Sequence, residues 1–151
     1  VLDEEIQRAR RQESGFGVIW LDIDHFKSIN DNLGHQAGDQ ILCRVALWLK
    51  AGVRPYDHPG RWGGDEFVVL LSPCDPETLG RIARRIRESV EQESRKTGTA
   101  VTVSVGGYFA LPGDNSDTIL RHADRALYQA KHEGRNRVCI TVSEDPEINP
   151  A

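Results

Sequence analysis

The stretch from Phe16 to Ile23, FGVIWLDI, constrains this chain more than any other. It is an apolar run framed by Gly15 and Gly17 at its start and by Asp22 and Asp24 at its end. Such a run is a central β-strand covered on both faces, because a strand with one wet face alternates polar with apolar residues. The remainder of the chain must therefore supply a layer on each side of the sheet. The strand ends on acids, so that end is the first place to look for chemistry.

The flanking patterns supply those layers. Leu2, Ile6 and Ala9 predict a helix from Leu2 to about Glu13. A short helix is expected near Asp24, whose carboxylate would cap it, ending where Asn30, Asp31, Asn32 and Gly34 break the pattern. A longer helix is expected from about Ala37 to Lys50, with Ile41, Leu42, Val45, Ala46 and Leu49 on its apolar stripe. From Gly60 to Leu71 the pattern is that of a hairpin, with Gly63 and Gly64 supplying the positive φ angles of its turn and Asp65 beside them. A helix from Pro76 to about Arg95, a strand from Val101 toward Leu111, a helix capped by Ser116 or Asp117 and a final strand from Val138 to Val142 complete the series. This order predicts an α/β (α+β) sandwich, a mixed, mainly antiparallel central sheet surrounded by helices, which a ferredoxin-like core fits. Strand order stays open.

A chain of 151 residues suits one domain, expected over residues 1–142, with the acidic, proline-containing stretch 143–151 as tail or linker. No stretch approaches the roughly 20 apolar residues of a membrane span, and the first ten residues carry no secretory core. Cys43, Cys74 and Cys139 are odd in number and far apart, which gives neither a zinc spacing nor a disulfide framework and points to a reducing, cytoplasmic setting. A formal charge of -4 argues against broad binding of DNA or RNA, while leaving room for one nucleotide in a local basic pocket. The arginines at 81, 84, 85 and 87 cluster as solvated helix faces do.

Asp22 and Asp24 end one apolar strand, and Asp65 and Glu66 begin another. If the two strands are neighbours, four carboxylates converge on one sheet edge, an arrangement that is costly without a cation. Magnesium or manganese among phosphate oxygens would relieve it, since hard divalent ions take oxygen ligands and often only one or two protein carboxylates. Solvated turn residues are the plainer reading of the same acids.

The residues Gly63-Gly64-Asp65-Glu66-Phe67 spell the signature of the GGDEF family, and the chain resembles diguanylate cyclases. The match extends through Asp22-Ile23-Asp24-His25-Phe26-Lys27, Asn30-Asp31, Gly34-His35, Gly38-Asp39, Ala130-Lys131 and Gly134-Arg135-Asn136, in the family's order and spacing. The resemblance implies a fold of the nucleotide-cyclase palm type and the conversion of two GTP to cyclic di-GMP and two pyrophosphates. It implies that Asp22 and Asp65, with the backbone carbonyl of Ile23, hold Mg²⁺ or Mn²⁺. Glu66 would complete the acidic centre, either by coordinating metal or by activating the 3′-hydroxyl. Asn30 and Asp39 match the guanine-recognising positions, where Asn donates and accepts while a carboxylate accepts from N1 and N2. Lys27, the backbone donors of His25 and Phe26, and the pair Lys131 and Arg135 would meet the triphosphate. Lys131 and Arg135 share a helical face if the last turn continues through Gly134. Gly63 and Gly64 would let the turn approach the nucleotide closely.

One such site holds half the reactants, so the resemblance implies a second copy of the domain, face to face in an antiparallel pair. Arg54-Pro55-Tyr56-Asp57 matches the family's RxxD motif, and with Arg85 it would form an inhibitory product site. The family's Asp-x-Leu-Thr-x-Leu-x-Asn-Arg segment is not visible before Val1, which is read as truncation at the N-terminal edge and implies an upstream regulatory domain. The rival reading is a noncatalytic cyclic di-GMP receptor or signalling scaffold that uses the RxxD motif alone.

Overall fold

The computed structural model describes residues 2–12 and 14–143, so Glu13 of the first expected helix and 144–151 of the expected tail lie outside the described residues. The elements run α1 (Leu2–Gln12), β1 (Phe16–Ile23), α2 (Phe26–Leu33), α3 (His35–Gly52), β2 (His58–Gly63), β3 (Glu66–Leu71), α4 (Pro76–Lys96), β4 (Val103–Ala110), α5 (Ser116–His132) and β5 (Val138–Val142). The strands form a five-stranded sheet in the order β2-β3-β1-β4-β5. β1 is antiparallel to both β3 and β4, β2 is antiparallel to β3, and β5 runs parallel to β4.

The central strand has the predicted two-sided burial, and every residue of β1 is buried. The strand period of two divides it. Ile19, Leu21 and Ile23 enter a core with residues of α2, α3 and α4, including Phe26, Ile41, Val45, Leu79 and Ile86. Phe16, Val18 and Trp20 enter a second core with Ile6 of α1 and Ile119, Ala123 and Leu127 of α5. Gly106 lets α5 lie against β4, since a Cβ there would stand 2.2 Å from the Leu127 nitrogen and 2.6 Å from the Ala123 oxygen.

Several local expectations are corrected. The hairpin turn consists of Gly64 and Asp65, and Gly63 is the last residue of β2, paired with Glu66. Gly64 alone of the two glycines has the positive φ, 49°. The cap of α5 is Asn115, whose side chain accepts from the Thr118 N–H, rather than Ser116 or Asp117. The third helix is longer than its stripe indicated, spanning His35–Gly52 and beginning directly after Gly34 at φ 89°. Asp24 does not cap α2. The residue at that position is His25, in the left-handed region at φ 57° with no side-chain cap.

Candidate active site

The β1–β3 register sets Asp22 directly opposite Glu66, and the Ile23 N–H donates to the Asp65 carbonyl at 3.3 Å. The two apolar strands are neighbours, so their acidic ends do meet. Like charges directly across a ladder repel, and Asp22 is also 6% exposed. Burial, with the neighbouring Asp65 and Asp24 carboxylates, pushes the Asp22 carboxyl up to about 6 against the opposing hydrogen bond from Lys131. The Lys131 ammonium contacts Asp22 directly. This basic residue comes from the last turn of α5, which the close packing at Gly106 brings over the sheet.

A cleft of about 350 Å³ extends from this edge along α2 and α3, lined by Phe26, Lys27, Asn30, Asp39, Arg61 and Asp65 among others. It joins the residues assigned to guanine recognition with the acidic turn. The Asn30 Oδ1 atom is buried without a hydrogen-bond partner. It sits where a side chain on residue 38 would be, 1.8 Å from the Cβ position of Gly38. The left-handed His25 turns the chain from β1 into α2, so the first amides of that helix follow the acidic strand end. Arg61 was not singled out from the sequence. Its guanidinium donates twice to the Gly64 carbonyl, at 3.0 and 2.7 Å, and holds the signature turn from within the hairpin.

Lys131 and Arg135 do not share a helical face. The helix ends at His132, and Gly134, Arg135 and Asn136 follow with φ of 126°, 63° and 46°. Arg135 is exposed on this left-handed turn, while Asn136 is tied back to Asp24 and α4.

Arg54 and Asp57 form a local unit: Asp57 is buried, and the guanidinium meets its carboxylate at 2.9 Å and lies 4.7 Å from the Tyr56 ring centroid. The hydrogen bonds to Asp57 raise the Arg54 pKa above its already high ordinary value. Arg54 also donates to the Pro73 carbonyl at 2.8 Å, just beyond the end of β3. The unit therefore lies one strand length, about 20 Å, from the signature turn. Arg85 donates to the Gly52 carbonyl at 2.9 and 2.6 Å and Arg87 to Asn136 at 3.0 Å, so this part of the arginine cluster makes tertiary contacts rather than forming only a solvated face.

Among the described residues, no group of three or more His, Cys, Asp or Glu side chains is gathered to hold a metal ion. The carboxylates at this sheet edge are those of Asp22, Asp65 and Glu66, the first and last directly opposite each other in the β1–β3 register. Oxygen donors of this kind are what a hard cation takes, with its remaining ligands from phosphate and water, while the raised Asp22 pKa comes first from burial.

A five-stranded mixed sheet with its acids at the end of the central strand and a basic helix end above them defines an α+β domain of the palm type. The sequence model of the family described as "Diguanylate cyclase, GGDEF domain" matches residues 1–137, and the chain belongs to that family. It is 36% identical over 148 residues to diguanylate cyclase A of Treponema denticola, covering 94% of this chain and 39% of that relative. It superposes with a TM-score of 0.86 on the active GGEEF domain of a diguanylate cyclase from Vibrio cholerae, at 34% identity, covering 93% of this chain and 92% of that one. The GGDEF domain of DgcB from Caulobacter crescentus, solved in complex with c-di-GMP, gives a TM-score of 0.83 at 34% identity, covering 92% and 87% of the two chains. This chain spans less than half the length of the curated relatives it matches, 39% in the case of the Treponema denticola enzyme.

Proposed function

We propose that this domain joins two GTP molecules into cyclic di-GMP, releasing two pyrophosphates, as a diguanylate cyclase. The observation that carries the proposal is the continuous cleft from Asn30 and Asp39 to Asp65, with Lys27 along it. Its lining carries both of the opposite chemistries that a nucleotide's base and phosphates need. At one end, the Asn30 side chain lines the cleft, and Asp39 accepts from a guanine edge that adenine does not present. At the other end, Lys27, Lys131 and Arg135 neutralise the triphosphate, with the first amides of α2 as backbone donors.

Asp22, Asp65, Glu66 and the Ile23 carbonyl would hold Mg²⁺ or Mn²⁺, which supplies Lewis-acid stabilisation of the attacking oxygen and the leaving pyrophosphate. The chain's own residues orient the substrate. Asp39 and Asn30 fix the base, and the three cations hold the phosphates for in-line attack. No enzyme nucleophile is required, because the attacking 3′-hydroxyl belongs to the GTP on a second copy of the domain. The catalytic unit in this proposal is an antiparallel pair. The same proposal takes residues 1–142 as the catalytic domain, a cytoplasmic location facing the GTP pool, and a regulatory partner elsewhere in the longer protein. Within the described residues no helix is long and apolar enough to cross a membrane.

Arg54, Asp57 and Arg85 are proposed to bind the product, with the guanidinium planes on phosphate or guanine and Asp57 accepting from the base. Product held there would couple to the distant turn by locking two domains apart.

The direct test is incubation of the full-length protein with GTP and Mg²⁺ or Mn²⁺, with products identified by mass. Cyclic di-GMP and pyrophosphate are expected, with loss of both in Asp65→Asn. A folded protein that makes neither, even when forced to dimerise and stripped of bound product, would refute the proposal and favour a receptor. Arg54→Ala is expected to abolish product inhibition while leaving turnover at low product intact.

A further inference from the structure

Asp24 belongs to the acidic strand end, yet its surroundings differ from those of Asp22. It is 5% exposed. One carboxylate oxygen accepts from the Ser104 hydroxyl at 2.6 Å, and the other accepts from the Thr102 hydroxyl at 2.6 Å and from the Asn136 backbone N–H at 3.0 Å. An ionised carboxylate has about four acceptor positions, so Asp24 is largely committed within the protein. Two aspartates two residues apart thus do different work.

The Asn136 end of this network is equally constrained. Its side-chain amide donates to Glu91 at 2.5 Å, and its carbonyl accepts from Arg87 at 3.0 Å, both on α4. Arg135 and Asn136 are consecutive non-glycine residues at positive φ, a conformation that persists only where the surroundings impose it. The Arg135 N–H reaches the Ala130 carbonyl at 3.0 Å, closing the same turn onto the end of α5. The exposed Arg135 side chain is therefore carried by a strained turn pinned to Asp24, just past β1, on one side and to α4 on the other.

We infer that Asp24 and Asn136 are positioning residues that hold Arg135 toward the triphosphate of the bound nucleotide. The inference rests on the proposed assignment of Arg135 to that phosphate and adds the device that aims it. A long cation on a loose turn would lose much of its binding energy to ordering, whereas a turn fixed beforehand does not. Substituting the partners that orient metal ligands commonly costs about ten- to hundredfold in affinity, which sets the scale expected for a partner that orients a phosphate-binding cation.

The test measures binding of 3′-deoxy-GTP, which lacks the attacking hydroxyl, to the full-length protein, with melting temperature as the folding control. Asp24→Asn replaces an acceptor oxygen by a donor facing donors, and affinity is expected to fall about tenfold. Arg135→Ala is expected to weaken binding similarly, and the double variant to bind no worse than Arg135→Ala alone. Multiplying effects in the double variant would overturn the inference, because Asp24 would then act through its charge on Asp22 or through general stability. Asn136→Gly keeps the turn's φ and the N–H to Asp24 but removes both pins to α4. It is expected to weaken binding only when Arg135 is present, and unchanged affinity in that variant also overturns the inference. If Arg135→Ala binds as tightly as the parent protein, the phosphate assignment itself fails; if it alone weakens binding, only the positioning role fails.

Discussion

At the residue scale, Gly38 shows how a missing side chain serves a neighbour. Its empty Cβ position is filled by the Asn30 amide oxygen, with the Phe26 ring 3.3 Å from the same point. Gly38→Ala would improve the helix by up to about 1 kcal/mol through backbone propensity, but it would also push Asn30 out of its seat. Thermal stability is therefore expected to stay near that of the parent while the Kd for GTP rises about tenfold, since a recognition group moved out of reach leaves guanine donors unpaired. Titration calorimetry with GTP beside a melting curve checks both halves. Reactive cysteines offer a second reading at this scale. Burial pushes the Cys74 thiol up to about 11, and Cys43 is exposed on α3. Alkylation by iodoacetamide at pH 8 should modify Cys43 well before Cys74, as peptide mass mapping would reveal.

At the scale of elements, α4 and α5 show two different attachments. The N-terminus of α4 is held by Asp75, whose carboxylate accepts the Thr78 N–H at 2.7 Å. That bond lowers the Asp75 pKa from its ordinary 3.8. A carboxyl lowered on folding stabilises the fold above its unfolded value, and the contribution disappears as pH falls through the folded value. The stability difference between the parent and Asp75→Asn is thus expected to be full near neutral pH and to shrink below about pH 4, which denaturant titrations at several pH values would trace. α5 is attached by packing instead. A methyl at Gly106 would overlap the backbone of Ala123 and Leu127, which cannot swing away as a side chain can. Gly106→Ala is expected to cost about 3 kcal/mol or more, and to lift Lys131 from Asp22 with the helix. Chemical denaturation measures the first effect, and GTP affinity in the surviving folded fraction measures the second.

For the whole molecule, the length of β3 separates the two proposed sites. The acidic turn lies before Glu66, and the Arg54–Asp57 unit touches Pro73 beyond Leu71. On the proposed reading, a domain pair that meets at the acidic edge leaves the far end free for product, so catalysis and inhibition would not compete for one surface. In the proposed mechanism each domain brings one GTP, and total rate should rise more steeply than linearly with protein concentration while the protein is mostly monomeric. A dilution series at saturating GTP checks this, and a strictly linear rate would argue for a preformed pair or a single-site reaction.

Much of this was legible in the chain alone. The unbroken apolar run of β1 required two covered faces, and the spacing of acids, glycines and Asn30 and Asp39 marked a site, because these depend on local pattern and on a family signature. Strand order was not legible, since any of several sheets satisfies the same burial pattern; pairing β1 with β3 is what brings two acidic segments to one sheet edge. The partner of Asp24 was equally hidden, as Ser104 and Asn136 lie 80 and 112 residues away. Local reasoning therefore assigned Asp24 to the nearest helix as a cap. The hairpin glycines were misread for the same reason, because the register with β3 decides which two residues turn. The signature residues, through their resemblance to a family, indicated which chemistry to look for in this chain. Only the tertiary structure decided which carboxylate is free for it and which is committed to the fold, since a buried charge takes whatever donors the packing brings within reach.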